Sequence, residues 1–344
     1  MRDLLPTNRP ALVLAPMQDV TDLPFMRVLA RRGAPDWFVT EYFRVYPQSC
    51  LNPYILRSIL ENQTGRPLFA QMIGCDLPSL VRTARQLAEF HVAGIDLNLG
   101  CPAPIVCRKN AGGGLLRDPA TIRRLLDALR AAIPGRFTVK TRLGFAAIAE
   151  FPHLLEIFRD SGIDGLTIHA RTVQERYQSP VHPECVKWAV DSLPCPVIAN
   201  GNVVDAASGL AFLNQSHAAG LMIGRGAIRN PWIFSQLRDS FAGCASIIPT
   251  RRDLLDYVLE LYAELARESR KFVPGAHVQR MKKTLAYISH GVEGGFEHDM
   301  RRAKTPEDFM RICWEHLDAK EPLELRPPAD SKLFCGFGEL GGVN

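Results

Sequence analysis

Residues 96–116, DLNLGCPAPIVCRKNAGGGLL, set a cysteine just past the end of an apolar run and follow it with a glycine triplet. Cys101 could do four kinds of work. As a nucleophile it would want a base, and His169 is a conceivable partner. As a metal ligand it would want thiolate or histidine companions at matched spacing, which the sequence lacks. As a general acid it needs only its proton, which a thiol with an ordinary pKa of about 8.5 keeps at neutral pH. As a core filler it would sit oddly in an exposed Gly-Cys-Pro turn. Gly112-Gly113-Gly114 reads either as a flap that orders over a guest or as a slack turn.

The same kind of chemistry recurs at the ends of other short apolar runs. In order they offer Pro16-Met17-Gln18, Glu41, Gln71, Asn98 with Cys101, Lys140 with Arg142, His169 with Arg171, Asn200-Gly201-Asn202, and Gly224-Arg225. Amide, ammonium, imidazole, guanidinium and thiol groups gathered in one ring would make an active site. The last two sets place flexible backbone and a guanidinium fork where a phosphate could be cradled.

That gathering needs a scaffold. The runs are 11–14 (ALVL), 37–40 (WFVT), 68–72 (LFAQM), 94–98 (GIDLN), 137–140 (FTVK), 165–169 (GLTIH), 197–200 (VIAN) and 220–223 (GLMI). Helical periodicity fills the gaps, as at 77–90, 119–132, 151–161 and 205–213, and Asp118-Pro119 marks one helix start. Eight nearly continuous apolar strands alternating with helices fit an α/β fold, a closed (β/α)₈ TIM barrel, whose strand ends form one ring. A doubly wound open sheet is the alternative. It would carry its glycine fingerprint after the first strand, where Ala15-Pro16-Met17 stands instead.

The barrel pattern fades by residue 246. Residues 247–250 read as a linker, 250–320 as a smaller all-helical domain, and 321–344 as a loosely ordered tail. Leu254, Leu255, Val258, Leu259 and Tyr262 form an apolar stripe; Val278, Met281, Leu285 and Ile288 form another, with Arg280, Lys282 and Lys283 opposite. Residues 291–309 match no pattern.

Of 344 residues 47% are hydrophobic and 22% charged, as in soluble globular chains, and no apolar run nears the roughly 18 residues that span a bilayer. With no signal-type apolar core near Met1, a cytoplasmic location is expected. The nine cysteines contain no C-x-x-C pair, which speaks against disulfides and zinc. A net charge of +5 permits an anionic partner without requiring one.

Taken together, APM (15–17), Gln71, DLNLGCP (96–102), VKTRLG (139–144), IHART (168–172), ANGN (199–202) and MIGRG (222–226) resemble the tRNA-dihydrouridine synthases, in register from about residue 11 to 290. The resemblance implies an FMN barrel that uses NADPH to reduce the C5–C6 double bond of particular tRNA uridines. It assigns Cys101 as the acid at C5. It places Pro16, Met17, Gln18, Gln71, Lys140, His169, Asn200, Gly201, Asn202, Gly224 and Arg225 at FMN, and Asn98, Arg142 and Tyr177 at an extruded uracil. It gives the basic helix, through Arg280 and Lys282, a grip on the tRNA backbone. TEYFRV (40–45) resembles the bacterial subgroup acting on position 16, where Arg44 touches RNA. A monomer is expected, with tRNA as partner and neither metal nor membrane. Two rivals remain open: another FMN barrel oxidoreductase of dihydroorotate-dehydrogenase type, and an RNA-binding protein without catalysis.

Overall fold

The computed structural model describes residues 1–177, 179–268, 275–292, 294–328, 331 and 333. Strands β1 (Ala11–Leu14), β2 (Phe38–Val39), β3 (Phe43–Arg44), β4 (Leu68–Ile73), β5 (Gly94–Leu99), β6 (Phe137–Arg142), β7 (Gly165–His169), β8 (Val197–Asn200) and β9 (Gly220–Ile223) form one parallel sheet. Its order is β1-β9-β8-β7-β6-β5-β4-β2, and a parallel bridge from Val13 to Trp37 brings the two ends together. This is the (β/α)₈ barrel. β2 and β3 share one place in the ring. β2 pairs with Leu68 and Phe69 of β4, then β3 pairs with Met72 and Ile73.

Period-two alternation sorts the side chains. Ala11, Val13, Ala15, Trp37, Val39, Phe69, Ile198 and Met222 fill the barrel, while Leu12, Leu14, Phe38 and Leu68 face the helices. Toward the C-terminal ends the inward positions turn polar. β5 contributes Asp96 and Asn98, and β6 contributes Thr138, Lys140 and Arg142.

Around the sheet lie α1 (Leu23–Gly33), α2 (Pro53–Leu60), α3 (Leu77–Ala88), α4 (Pro104–Cys107), α5 (Pro119–Ala132), α6 (Phe151–Asp160), α7 (Pro183–Ser192), α8 (Ala206–Ser216), α9 (Arg225–Arg229) and α10 (Ile233–Phe241). Side-chain caps start several of them: Asp22, Asp76, Asp118 and Asp205 accept the N–H of Phe25, Ser79, Thr121 and Ser208. The helical region follows as α11 (Arg251–Glu268), α12 (Ala276–Ile288), α13 (Phe296–Arg302) and α14 (Pro306–Leu317). Residues 291–309 thus supply α13 and the start of α14.

The two regions are riveted together. Arg27, Arg31 and Arg32 of α1 and Arg57 of α2 meet Glu260, Glu264 and Glu268 of α11, with Arg27–Glu268 at 2.9 Å and Arg31–Glu264 at 2.8 Å. Buried Arg229 donates to the carbonyls of His290 (2.7 Å), Leu325 (2.6 Å) and Glu324 (2.6 Å). Residues 321–328 therefore lie along the seam, where Leu323 N–H also donates to Pro249 O at 2.8 Å. The rest of the 321–344 segment is outside the described residues, apart from Ser331 and Leu333. No described helix is long and apolar enough to cross a membrane.

Candidate active site

One cavity of about 790 Å³ opens at the C-terminal ends of the strands. Most of the residues singled out from the sequence line it: Pro16, Met17, Gln18, Asn98, Cys101, Lys140, Arg142, His169, Tyr177, Asn200, Gly201, Asn202, Gly224 and Arg225. Residues from nearly the whole ring thus face one space.

Cys101 is pinned by its main chain. Its N–H donates to Asn98 Oδ1 at 3.0 Å, and its carbonyl accepts from Gly113 N–H at 3.0 Å and from the Cys107 thiol at 3.5 Å. The glycine triplet belongs to a buried 3-10 turn (Gly112–Arg117) packed beneath this loop. A Cβ on Gly113 would stand 2.8 Å from Cys101 O, and one on Gly114 2.8 Å from Cys107 Cα. Close approach, not mobility, is what selects glycine here. The sequence left a flap and a slack turn open; the structure has a packed floor.

A chain of hydrogen bonds orients Asn98 from behind. Asp96 accepts from Thr138 Oγ1 at 2.6 Å and from Gln71 Nε2 at 2.8 Å; Gln71 Oε1 in turn accepts from Asn98 Nδ2 at 2.8 Å. Asn98 Oδ1 is taken up by the N–H groups of Gly100 and Cys101, both at 3.0 Å. Gln71, which the resemblance put at the cofactor, is fully buried in this chain of hydrogen bonds, behind the cavity lining.

Burial raises the Asp96 carboxyl from 3.8 to about 6, against the pull of Thr138, Gln71 and Lys140. The folded state therefore holds this proton more tightly than the unfolded chain does. The stability it contributes is complete below about pH 4 and is lost as pH rises through 6. Asp96→Asn keeps both hydrogen bonds, with its oxygen toward Gln71 and its amide N–H toward Thr138. It is expected to stabilise the protein by about 2–3 kcal/mol at about pH 8 and by almost nothing at about pH 4. Urea unfolding of both proteins at the two pH values checks this; a gap that fails to widen with pH contradicts it.

The adjoining wall, starting on β6 where Lys140 stands in register with Asn98, is cationic. Lys140 donates to Asn200 Oδ1 at 3.2 Å, and burial together with Arg142 lowers its ammonium to about 8. Asn200 Nδ2 donates to Met222 O at 2.7 Å, tying β8 to β9 below the two glycine turns. Gly201 has φ +134°, which favours glycine, and a Cβ on Gly224 would press on Met17 Sδ at 3.1 Å. Arg142 is almost wholly buried and donates to Gly100 O (2.9 Å), Thr172 O (2.8 Å) and Arg176 O (2.8 Å). Two guanidinium groups approach the Tyr177 ring, with Arg225 Cζ 4.5 Å and Arg142 Cζ 5.2 Å from its centroid. Its contact with His169 is edge-on at 5.7 Å.

Three expected RNA contacts stand outside the cavity lining. Arg44 is exposed on β3 and lies over the Tyr42 ring at 5.8 Å; Tyr42 itself lines the cavity. Arg280 pairs with buried Asp22 and covers the Tyr54 ring at 4.8 Å. Lys282 turns away, donating to Arg301 O at 2.9 Å. From the same helix it is Lys283 and Tyr287 that reach the cavity, and Lys283 pairs with Asp19 at 2.8 Å. Tyr287 follows Lys283 by four residues, so both share one face of α12, but nothing in the sequence says that this face meets the barrel. Glu41 is buried behind the rim. Burial and neighbouring Asp22 raise its carboxyl to about 8.

The sequence model of the family described as "Dihydrouridine synthase (Dus)" matches residues 13–320. The chain is 32% identical over 319 residues to a probable tRNA-dihydrouridine synthase of Rhodobacter capsulatus, covering 91% of this chain and 96% of that protein. It is 33% identical to the tRNA-dihydrouridine(16) synthase of Ralstonia nicotianae, over 90% of this chain and 96% of the other. With the tRNA-dihydrouridine synthase B of Xanthomonas campestris it shares 29% identity over 91% of this chain and 94% of that one. A model match over most of the chain, on a barrel whose strand ends converge as described, establishes that the chain belongs to the dihydrouridine synthase family.

Proposed function

We propose that this dihydrouridine synthase reduces the C5–C6 bond of a uridine in tRNA, at position 16, with FMN held in the barrel cavity and NADPH as reductant. The observation that carries the reading is the convergence of Cys101, Lys140, His169 and Arg225 on one cavity. Its volume lies near the upper end of the ~300–1,000 Å³ of small-molecule sites, which leaves room for a base beside a cofactor.

The chain's own groups fit FMN. Gln18 Oε1 and Asn202 Oδ1 are buried acceptors with no partner among the described residues, and both side chains belong to the cavity wall. They suit the ring N–H and ribityl hydroxyls. Arg225 and the backbone at Gly201 and Gly224 suit the phosphate, and the Lys140 ammonium suits the electron-rich pyrimidine edge. When bound, FMN supplies the hydride that uracil takes up at C6, itself replenished from NADPH. Cys101 supplies the proton at C5, and its thiolate is re-protonated from solvent. Asn98, fixed by Gln71 and the Cys101 loop, has an N–H left to meet a uracil carbonyl, and Tyr177 lines the cavity that a base turned out of the RNA stack would enter.

Lys283 and Tyr287 at the cavity rim support a tRNA substrate, since they carry the helical region to the entrance. Position 16 is supported by the name of the Ralstonia nicotianae relative and by Arg44, which sits beside rim-lining Tyr42. The test is nucleotide-resolution mapping of dihydrouridine in tRNA from cells with and without this protein. Loss at position 16, restored by the gene, is expected. Loss elsewhere removes the position and keeps the enzyme; an unchanged map overturns the reading in favour of a small-molecule substrate or a non-catalytic RNA binder.

A further inference from the structure

The cavity holds one histidine, and the side chain behind it dictates its chemistry. Arg171 is fully buried, anchored by Nε donating to Ser179 O at 2.6 Å, and its Nη1 lies 3.3 Å from His169 Nε2. A guanidinium has only donors to offer. The ring nitrogen it meets must therefore present a lone pair, and the ring's proton must sit on the other nitrogen.

We propose that Arg171 is a positioning residue that fixes His169 as the neutral Nδ1–H tautomer, so that the ring serves the cavity as a hydrogen-bond donor and neither as acid nor as base. The surroundings agree with a neutral ring. Lys140 and Arg142 of β6, Arg225 at the start of α9 and Arg171 itself all act on His169, and burial with these cations holds its pKa well below the ordinary 6.5. These four neighbours are all cations, and each disfavours an imidazolium. Arg171 is lowered to about 10 by burial, Arg225 and Arg142, and it still carries its charge at neutral pH.

Two consequences follow for the site. With Nε2 engaged, His169 cannot serve Cys101 as a base through that nitrogen, so the nucleophile reading of the cysteine loses its partner. The remaining Nδ1–H selects an acceptor, such as a carbonyl or phosphate oxygen, from whatever occupies the cavity. This second consequence rests on the cavity being the cofactor and uracil site; the tautomer itself does not.

The test is long-range ¹H–¹⁵N correlation of the histidine rings in the full-length, flavin-loaded protein, with His169 identified by its absence in His169→Gln. The expected pattern is a protonated Nδ1 and an unprotonated Nε2, unchanged between about pH 6 and 8. In Arg171→Met the proton is expected to move to Nε2 or to average between the two nitrogens. In the same variant kcat for dihydrouridine formation is expected to fall at least about tenfold with KM for tRNA near wild type, and Arg171→Lys, which keeps a cationic donor, is expected to recover part of it. An Nε2–H ring or an imidazolium in the wild-type protein overturns the proposal, whether or not the variants fold. So does an Nδ1–H pattern that persists in Arg171→Met. Because the ring spectrum needs no turnover, a protein inactive on tRNA would count against the proposed function and leave this result standing on its own.

Discussion

Cys101→Ala is expected to keep its FMN and to lose dihydrouridine formation by about 100- to 10,000-fold, the usual worth of a general acid. The loop does not depend on the thiol. Its conformation is set by the main-chain bonds of Cys101 to Asn98 and Gly113 and by the glycine floor beneath, and none of these changes with the side chain. None of the residues placed at the cofactor is removed. Of the titratable groups near it in the lining, His169 is buried among cations and held neutral and Tyr42 is raised by burial, while the Lys140 ammonium, lowered to about 8, keeps a proton it could give and is held by Asn200. Single-turnover assays on tRNA, with flavin absorbance read on the same sample, separate the outcomes. Loss of flavin along with activity would make Cys101 structural, and full activity would place the acid elsewhere.

The second large effect separates two cations on α12. Asp22 is 2% exposed and accepts from the Phe25 N–H at 3.1 Å, from Tyr54 Oη at 2.8 Å, and from Arg280. Burial already pushes its carboxyl up, and Arg280 is the chief charge opposing that push. Arg280→Glu would set a second carboxylate against it at a helix cap. The expected cost is about 3–5 kcal/mol of stability, the penalty for stranding a buried charge. Lys283→Glu, on the same helix, breaks only an exposed pair with Asp19 at the cavity rim. It is expected to unfold like wild type and to weaken tRNA binding, lowering the salt-dependence slope by about 1. Urea melts and filter binding across salt check both. Equal stability of the two variants would contradict the assignment of Arg280 to the barrel–helix seam, and unchanged tRNA binding by Lys283→Glu would remove α12 from the RNA surface.

That contrast shows where the sequence stops being readable. Along the chain, periodicity located β1, β7, β8 and β9 to the residue, and the Asp118-Pro119 cap located α5, because each signal is local. The ring of polar strand ends was legible for the same reason, since a barrel gathers such ends whatever its details. β3 was not legible. Two residues are too few to show alternation, and the strand exists only because β4 is longer than β2 and leaves Met72 and Ile73 to pair. Gln71 shared the polarity of its neighbours and yet faces Asp96 and Asn98 in place of the cavity, a choice made by inter-strand register. The glycine triplet read as freedom because composition does not reveal that Cys101 and Cys107 fill the space around it. Which lysine of α12 meets the barrel depends on how that helix docks, and only the fold decides it.

Every role proposed for these side chains requires the cavity at the strand ends to be a flavin site. The direct measurement is the visible spectrum and bound-flavin stoichiometry of the purified chain, alongside a variant that removes the phosphate fork, Arg225→Ala. One FMN per chain in the former and a marked loss of it in the latter is the predicted result. A colourless protein that takes up no FMN when supplied with it, while still folded, would contradict the assignment of these residues.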